Sequence, residues 1–268
     1  MRTFQEYTLG LDPRDSDSDG DGWNDGAEVA LGNPSVYEDP KWMATVPFDE
    51  PFESPVVTNG DLAGQHGWLA SHTNWALLQG DKYVGGVQSV KLMPKSSATA
   101  SLFHVVKGSF EGVTWTDFRV IPVWRQIAEC PVIQPSTTAS FYFNHDGCPV
   151  VRDGADWRAL TNVPVAAGTN WHRLTVMQDF SNSVWSICLD GVPVAVNLGF
   201  ANRLTQYTGV RILGGCNTTT WLDDLHVTTV APGDIDSDGT VFGMTGKSPT
   251  ALIRLIHRMP SMILTAMA

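Results

Sequence analysis

The chain has 268 residues and a formal net charge of −11 at pH 7, room for one large β domain or two small domains. Hydrophobic residues make up 43 %, with 10 Trp and 11 Phe, enough for a sizeable core, so the bulk of the chain is not disordered. The acidic balance argues against nucleic acid or an anionic membrane as partner, and no run of about 18 apolar residues marks a membrane span.

The opening MRTFQEYTLG lacks the apolar h-region of a signal peptide. Acidic residues then concentrate at 12–28. The stretch from Asp17 to Glu28 reads D-x-D-x-D-G-x5-E. Ca²⁺ takes about 6–8 oxygens, and this spacing supplies them. Asp17, Asp19 and Asp21 occupy loop positions 1, 3 and 5, Gly22 gives the sharp turn, and the Trp23 carbonyl serves position 7. Asp25 at position 9 acts through water, and Glu28 closes the shell bidentately. So many carboxylates in so short a loop would repel one another without a cation, and a merely solvated acidic loop leaves the spacing unexplained.

The flanks of this loop repeat. Glu28-Val-Ala-Leu-Gly32-Asn33-Pro34 follows it, and Glu6-Tyr-Thr-Leu-Gly10-Leu-Asp12-Pro13 precedes it, 22 residues earlier. Glu6 is then expected to close an earlier loop whose acidic half is missing. Residues 6–34 resemble the thrombospondin type 3 calcium repeats of bacterial secreted proteins. The resemblance implies a calcium-stiffened spacer over 1–40, with Asp17, Asp19, Asp21, Asp25 and Glu28 as ligands and Asp15 serving a neighbouring ion. Asn24 departs from the apolar position 8 of a paired EF-hand, which favours a single repeat loop over a calcium sensor.

Residues 45–230 show short period-2 alternations separated by Gly, Pro, Asn and Asp. The expected strands are 88–93, 99–106, 113–123, 139–144, 171–179, 183–189, 192–196, 208–213 and 222–229, and Asp190-Gly191 is a hairpin turn signal. Many evenly spaced strands mean a sandwich or barrel. Four stretches resemble the concanavalin A-like or laminin-G-like jelly rolls of bacterial surface proteins. FDEPFES at 48–54 with GDLAGQHGW at 60–68 looks like the first strand and its loop, and GGVQSVKL at 85–92 like the turn into the next strand. GTNWHRLTVMQDFSNSVWSICLDGVPV at 168–194 is similar to the strand pair with the D-G turn, and TTWLDDLHV at 219–227 to the closing strand. The resemblance implies an all-β antiparallel jelly-roll sandwich.

In jelly rolls of this appearance an acid on the last strand often meets one from the first strand around a structural Ca²⁺. Asp223 is the candidate on the last strand, with Asp224 beside it. Glu53 or Glu50 is the partner, because a buried lone carboxylate wants a cation. A solvated acidic edge strand is the competing reading.

Glycoside hydrolysis needs two carboxylates roughly 5–9.5 Å apart, and no E-x-D-x-x-E occurs in 45–230. Asp153 and Asp156 read as part of a Gly-containing turn. The histidines at 66, 72, 104, 145, 172 and 226 are scattered singly, with no H-x-H or H-E-x-x-H, and no G-x-S-x-G is present. Most Trp residues of this region are expected in the core. Trp75 and Trp157 sit in loop-like sequence and are the candidates for an exposed, sugar-stacking role. Cys130, Cys148, Cys188 and Cys216 allow three connectivities. Local bridges Cys130–Cys148 and Cys188–Cys216 are expected, with four free thiols as the other reading.

Beyond 230, Asp234, Asp236 and Asp238 open a second loop of the calcium type, which fails at Phe242 and Thr245. The basic, Met-rich tail to residue 268 is unlike the rest, and reads either as a shifted reading frame or as an amphipathic helix over 249–257.

The expected function is non-catalytic, glycan or protein binding or adhesion, by a secreted or cell-surface protein with Ca²⁺ as its cofactor and further domains in a larger chain. An enzyme, a glycan hydrolase or lyase, would show acids converging in a cleft. A purely structural stalk would show no groove with exposed aromatics.

Overall fold

The computed structural model describes residues 43–70, 72–93, 101–123, 130–131, 133–163, 170–213 and 219–232, together with Asp12, Arg14 and Asp25. The alternating stretches form strands, because period-2 patterning lets each bury one face. In chain order these are β1 (Met43–Thr45), β2 (Phe48–Glu50), β3 (Gly60–Asp61), β4 (Leu69–Ala70), β5 (Ala76–Gln79), β6 (Ser89–Leu92), β7 (Ser101–Lys107) and β8 (Val113–Ile121). They continue as β9 (Phe141–Phe143), β10 (Pro149–Asp153), β11 (Asp156–Ala159), β12 (His172–Asp179), β13 (Val184–Leu189), β14 (Val192–Gly199), β15 (Gly209–Leu213) and β16 (Thr220–Thr228).

Nine strands make one sheet in the order β14-β13-β12-β8-β16-β6-β5-β3, with β2 added on β16. A second sheet runs β1-β7-β15 with β4 on β7, and a third runs β11-β10-β9. Only the β1–β7 ladder is parallel among the described strands. The domain is an all-β antiparallel sandwich of jelly-roll type.

The core fills the space between the large sheet and the two smaller ones. Leu174 and Val176 of β12, Trp185 and Ile187 of β13, and Leu222, Leu225 and Val227 of β16 face Leu102 and Val106 of β7, Phe143 of β9 and Val151 of β10. Each fully buried side chain of this size contributes about 1.5–3 kcal/mol. In β8 and β12 the odd-numbered side chains point the other way. Trp115 and Met177 form a small cluster on the outer face with Ala231, where the chain leaving β16 folds back.

Between β13 and β14, Asp190 and Gly191 both have positive φ, 50° and 79°. That is the mirrored two-residue turn whose twist matches a hairpin, and the D-G pair is suited to it. β16 carries a bulge. Its register with β8 slips between Asp223 and His226, and Asp224 sits at φ 48°. The alternation expected across Asp223 and Asp224 is therefore broken at that point.

The expected Cys130–Cys148 bridge is not formed, and Cys130, Cys148 and Cys188 are free thiols. Cys148 is buried at the end of a turn in which Asn144 Oδ1 accepts from its N–H at 2.9 Å. Cys130 Sγ lies 3.4 Å from the Tyr142 hydroxyl. Burial and the nearby Asp117 charge push the Cys188 thiol up to about 11, so it does not ionise near neutrality. Cys216 lies outside the described residues, as does its expected bridge. No helix of the described residues is long and apolar enough to cross a membrane.

Candidate ligand-binding site

Between the inner face of the large sheet and strands β7, β9 and β15 lies a cleft of about 330 Å³. Its walls are mainly apolar, with Phe118 and Val120 of β8, Leu174 and Val176 of β12, Phe141 and Phe143 of β9, and Val210 and Ile212 of β15. A few polar groups interrupt them. Gln178 donates to the Thr138 hydroxyl at 2.5 Å, and the Thr116 and Tyr207 hydroxyls are 3.0 Å apart. Burial pushes the Tyr207 phenol up to about 12, so it stays a neutral hydrogen-bonding group. No Asp or Glu is among the described residues that line the cleft.

The third sheet presents an aromatic surface beside this cleft. In β9, Phe141 and Phe143 turn inward, so Tyr142 points outward. In the ladders, Tyr142 stands opposite Val150, and Arg152 opposite Trp157, which places all four on one face. The rings of Tyr142 and Trp157 meet edge to face, with centroids 5.2 Å apart and planes at 74°. The Arg152 guanidinium lies 5.4 Å from the Trp157 ring centroid. Tyr142 and Trp157 are both half-buried, so each keeps an exposed part while the sheet fixes its position. Tyr142 is also among the residues that border the cleft.

Trp157, expected in a loop, lies in strand β11 and is half-buried. Trp75, the other candidate for an exposed role, is only 2 % exposed and belongs to the core, because the residues after it form the buried strand β5.

Glu53 and Asp223 do approach the same loop, 84–88, but they meet it through hydrogen bonds. Glu53 Oε1 accepts from the N–H groups of Val87 at 2.8 Å and Gln88 at 3.0 Å. A side chain at Gly86, where φ is 63°, would collide with that carboxylate. Asp223 Oδ2 accepts from the Val84 N–H at 2.8 Å, and Oδ1 from the Asp224 N–H at 3.0 Å. Burial, together with the Asp224 charge, outweighs these bonds and pushes the Asp223 carboxyl up to about 6. Each of the two acids thus accepts hydrogen bonds from backbone N–H groups. Among the described residues no group of three or more His, Cys, Asp or Glu side chains is placed to hold a metal.

Glu50, the other expected partner, belongs to a cluster that the sequence did not reveal. Its side chain is fully buried. Oε2 accepts from His66 Nδ1 at 2.6 Å and from Trp68 Nε1 at 3.1 Å, and Oε1 from the Phe52 N–H at 3.0 Å. His104 packs on Trp68 and on Phe48, and its ring nitrogens lie 2.7 Å from the His66 carbonyl and 2.9 Å from that of Val105. Burial lowers the His104 pKa more than the two carbonyls raise it. These residues are far apart in sequence, so no spacing motif could have joined them.

On the outer face of the large sheet, Arg173 Nε donates to Asp117 at 2.9 Å, and Thr175 Oγ1 donates to the same carboxylate at 2.5 Å. Asp117 is thereby neutralised and held in place.

Of the expected calcium ligands in the spacer, Asp15, Asp17, Asp19, Asp21, Trp23 and Glu28 lie outside the described residues, as do Asp234, Asp236 and Asp238. Asp25 is described and is 1 % exposed. Asp12 Oδ1 accepts from the Arg14 N–H at 3.0 Å.

No family model matches the chain, and no curated protein matches it. Solved structures do. A sialidase matches with a TM-score of 0.48 and 10 % identity over 70 % of this chain, a stretch that spans only 19 % of the sialidase. An alginate lyase variant in complex with an alginate tetrasaccharide matches at 0.45 and 9 % identity, over 70 % of this chain and 98 % of the lyase. A CBM22-1 xylan-binding domain from Paenibacillus barcinonensis matches at 0.32 and 15 % identity, over 70 % and 99 %. At such scores and identities these likenesses assign neither ligand nor activity.

Proposed function

We propose that the sandwich is a non-catalytic glycan-binding module of a secreted or cell-surface protein. The observation that carries this reading is the Tyr142–Trp157 pair, two half-exposed aromatic rings fixed edge to face on one rigid sheet. Such rings offer apolar faces to a pyranose at little cost in side-chain freedom, and the adjoining cleft adds Gln and Thr groups for sugar hydroxyls. A hydrolytic reading would need paired carboxylates, and the described lining of the cleft holds none.

The finer part of the proposal concerns the spacer. Asp17, Asp19, Asp21, Asp25 and Glu28, with the Trp23 carbonyl, form a donor set of hard oxygens suited to Ca²⁺. The ion would order residues 12–34 by neutralising their charge and coupling binding to local folding.

The test is a glycan array probed with the full chain and with Trp157→Ala. Binding to a defined set of glycans, lost in the variant, is the expected result. A chain that binds no glycan, or a variant that keeps the same hits, would sink the proposal.

A further inference from the structure

We infer that the glycan held on this surface is acidic, and that Arg152 receives a sugar carboxylate. The inference rests on the glycan-binding reading and adds the chemical class of the ligand. Arg152 lies directly across from Trp157 in the β10–β11 ladder, with its guanidinium over the indole ring. Its Nε is shut off from solvent and has no hydrogen-bond partner. The adjacent acid does not serve it. Asp153 Oδ1 accepts from the Gly199 N–H at 2.9 Å, and Asp153 Oδ2 lies 3.9 Å from Arg158 Nη2. No carboxylate among the described residues pairs with Arg152.

An unpaired cation is notable in a chain of net charge −11, where acids are plentiful. Arg152 sits beside the aromatic pair, with its guanidinium over the Trp157 ring. A guanidinium presents a planar fork that fits the two oxygens of a carboxylate, and stacking on an indole leaves the fork's edge available. A uronic acid residue would place its ring against the exposed parts of Trp157 and Tyr142 and its carboxylate at the outer nitrogens of Arg152. The hairpin also bears Asp153, Asp156 and Arg158, so the patch has no net basic field. Recognition would be a local contact, with no long-range steering.

The experiment is calorimetric titration of the full chain with oligogalacturonate and oligomannuronate, each beside its fully methyl-esterified form. Esterification keeps the ring and removes the charge. The expected result is binding of an acidic oligosaccharide at least about 10-fold tighter than its ester. Arg152→Gln should erase that difference and Arg152→Lys should restore part of it, with both variants melting as the parent does. If esters bind as well as acids, or if a folded Arg152→Gln keeps the preference, the acidic class is wrong and the glycan reading stands. If neither form binds, and a glycan array is also blank, the glycan reading fails and takes the inference with it. Should Arg152→Gln fail to fold, the acid-to-ester ratio of the parent chain and of Arg152→Lys decides alone.

Discussion

His66 Nδ1 lies 2.6 Å from Glu50 Oε2, and the two partners differ sharply in setting: the carboxylate is fully buried while the imidazole side chain is 40 % exposed. Glu50 also gathers N–H groups from Phe52 and Trp68, so it joins β2 to the loop that follows β3.

Removing the buried partner should therefore cost far more than removing the exposed one. Glu50→Ala leaves three donors without an acceptor and is expected to destabilise the sandwich by about 3–5 kcal/mol. His66→Ala opens a rim position to water and is expected to cost about 1 kcal/mol. Urea denaturation of both variants checks this. Equal losses would show that Glu50 does not organise the cluster.

The two tryptophans singled out from the sequence should separate cleanly. Trp75→Ala empties a core position and should cost about 3–5 kcal/mol, with any loss of binding following from unfolding. Trp157→Ala should shift stability by about 1 kcal/mol or less while weakening glycan binding about 10-fold or more. Thermal melts beside binding curves distinguish the two, and a strongly destabilised Trp157→Ala would count against a binding role.

Asp223 should titrate near pH 6 in the folded chain. Its folded pKa lies above the unfolded value of 3.8, so the folded state holds this proton more tightly. The group's contribution to stability is then fully present below about pH 4 and is lost as pH rises through 6, a swing on the order of 3 kcal/mol. Carboxyl ¹³C NMR gives the midpoint directly. A midpoint that stays in place when calcium is added would show that Asp223 holds no ion. A calcium-dependent drop toward pH 4 or below would show that Asp223 ligates an ion after all.

Chelation should act elsewhere. With EDTA, limited proteolysis followed by mass spectrometry should reveal faster cleavage within residues 12–34, while a fragment near 45–230 survives. Unchanged cleavage there would remove the calcium loop from the account.

The long strands were legible because alternation is a local signal. Val113–Ile121, His172–Asp179, Val184–Leu189 and Thr220–Thr228 all fall within a residue or two of where the pattern placed them. Strands of two to four residues, such as β3 and β4, carry too little sequence to show a period. In the sequence the β10–β11 hairpin reads as a turn alone, because Asp153-Gly-Ala-Asp156 is its tip and hides the strands on either side. Trp75 reads as a loop residue for a similar reason, since the polar Ser-His-Thr-Asn before it masks the buried A-L-L-Q that follows. The platform was half visible. Trp157 stood out by residue type, whereas Tyr142 and Arg152 joined it only through strand pairing. The Glu50–His66–His104 group had no local signature at all, being assembled from β2, a loop and β7.

In the β2–β16 ladder, Phe48 stands opposite Val227 and Glu50 opposite Leu225, with the strands antiparallel. The N-terminal end of β2 thus lies beside the C-terminal end of β16. Tension applied through the two flanking segments would load that short ladder from one end and open its hydrogen bonds in succession, as a zipper opens. A load spread along the strands in shear would meet all of them at once. Because β1 precedes β2 and is held by β7, a pull through the flanking segments would first meet the β1–β7 ladder, and only once that has yielded would β2 peel from β16.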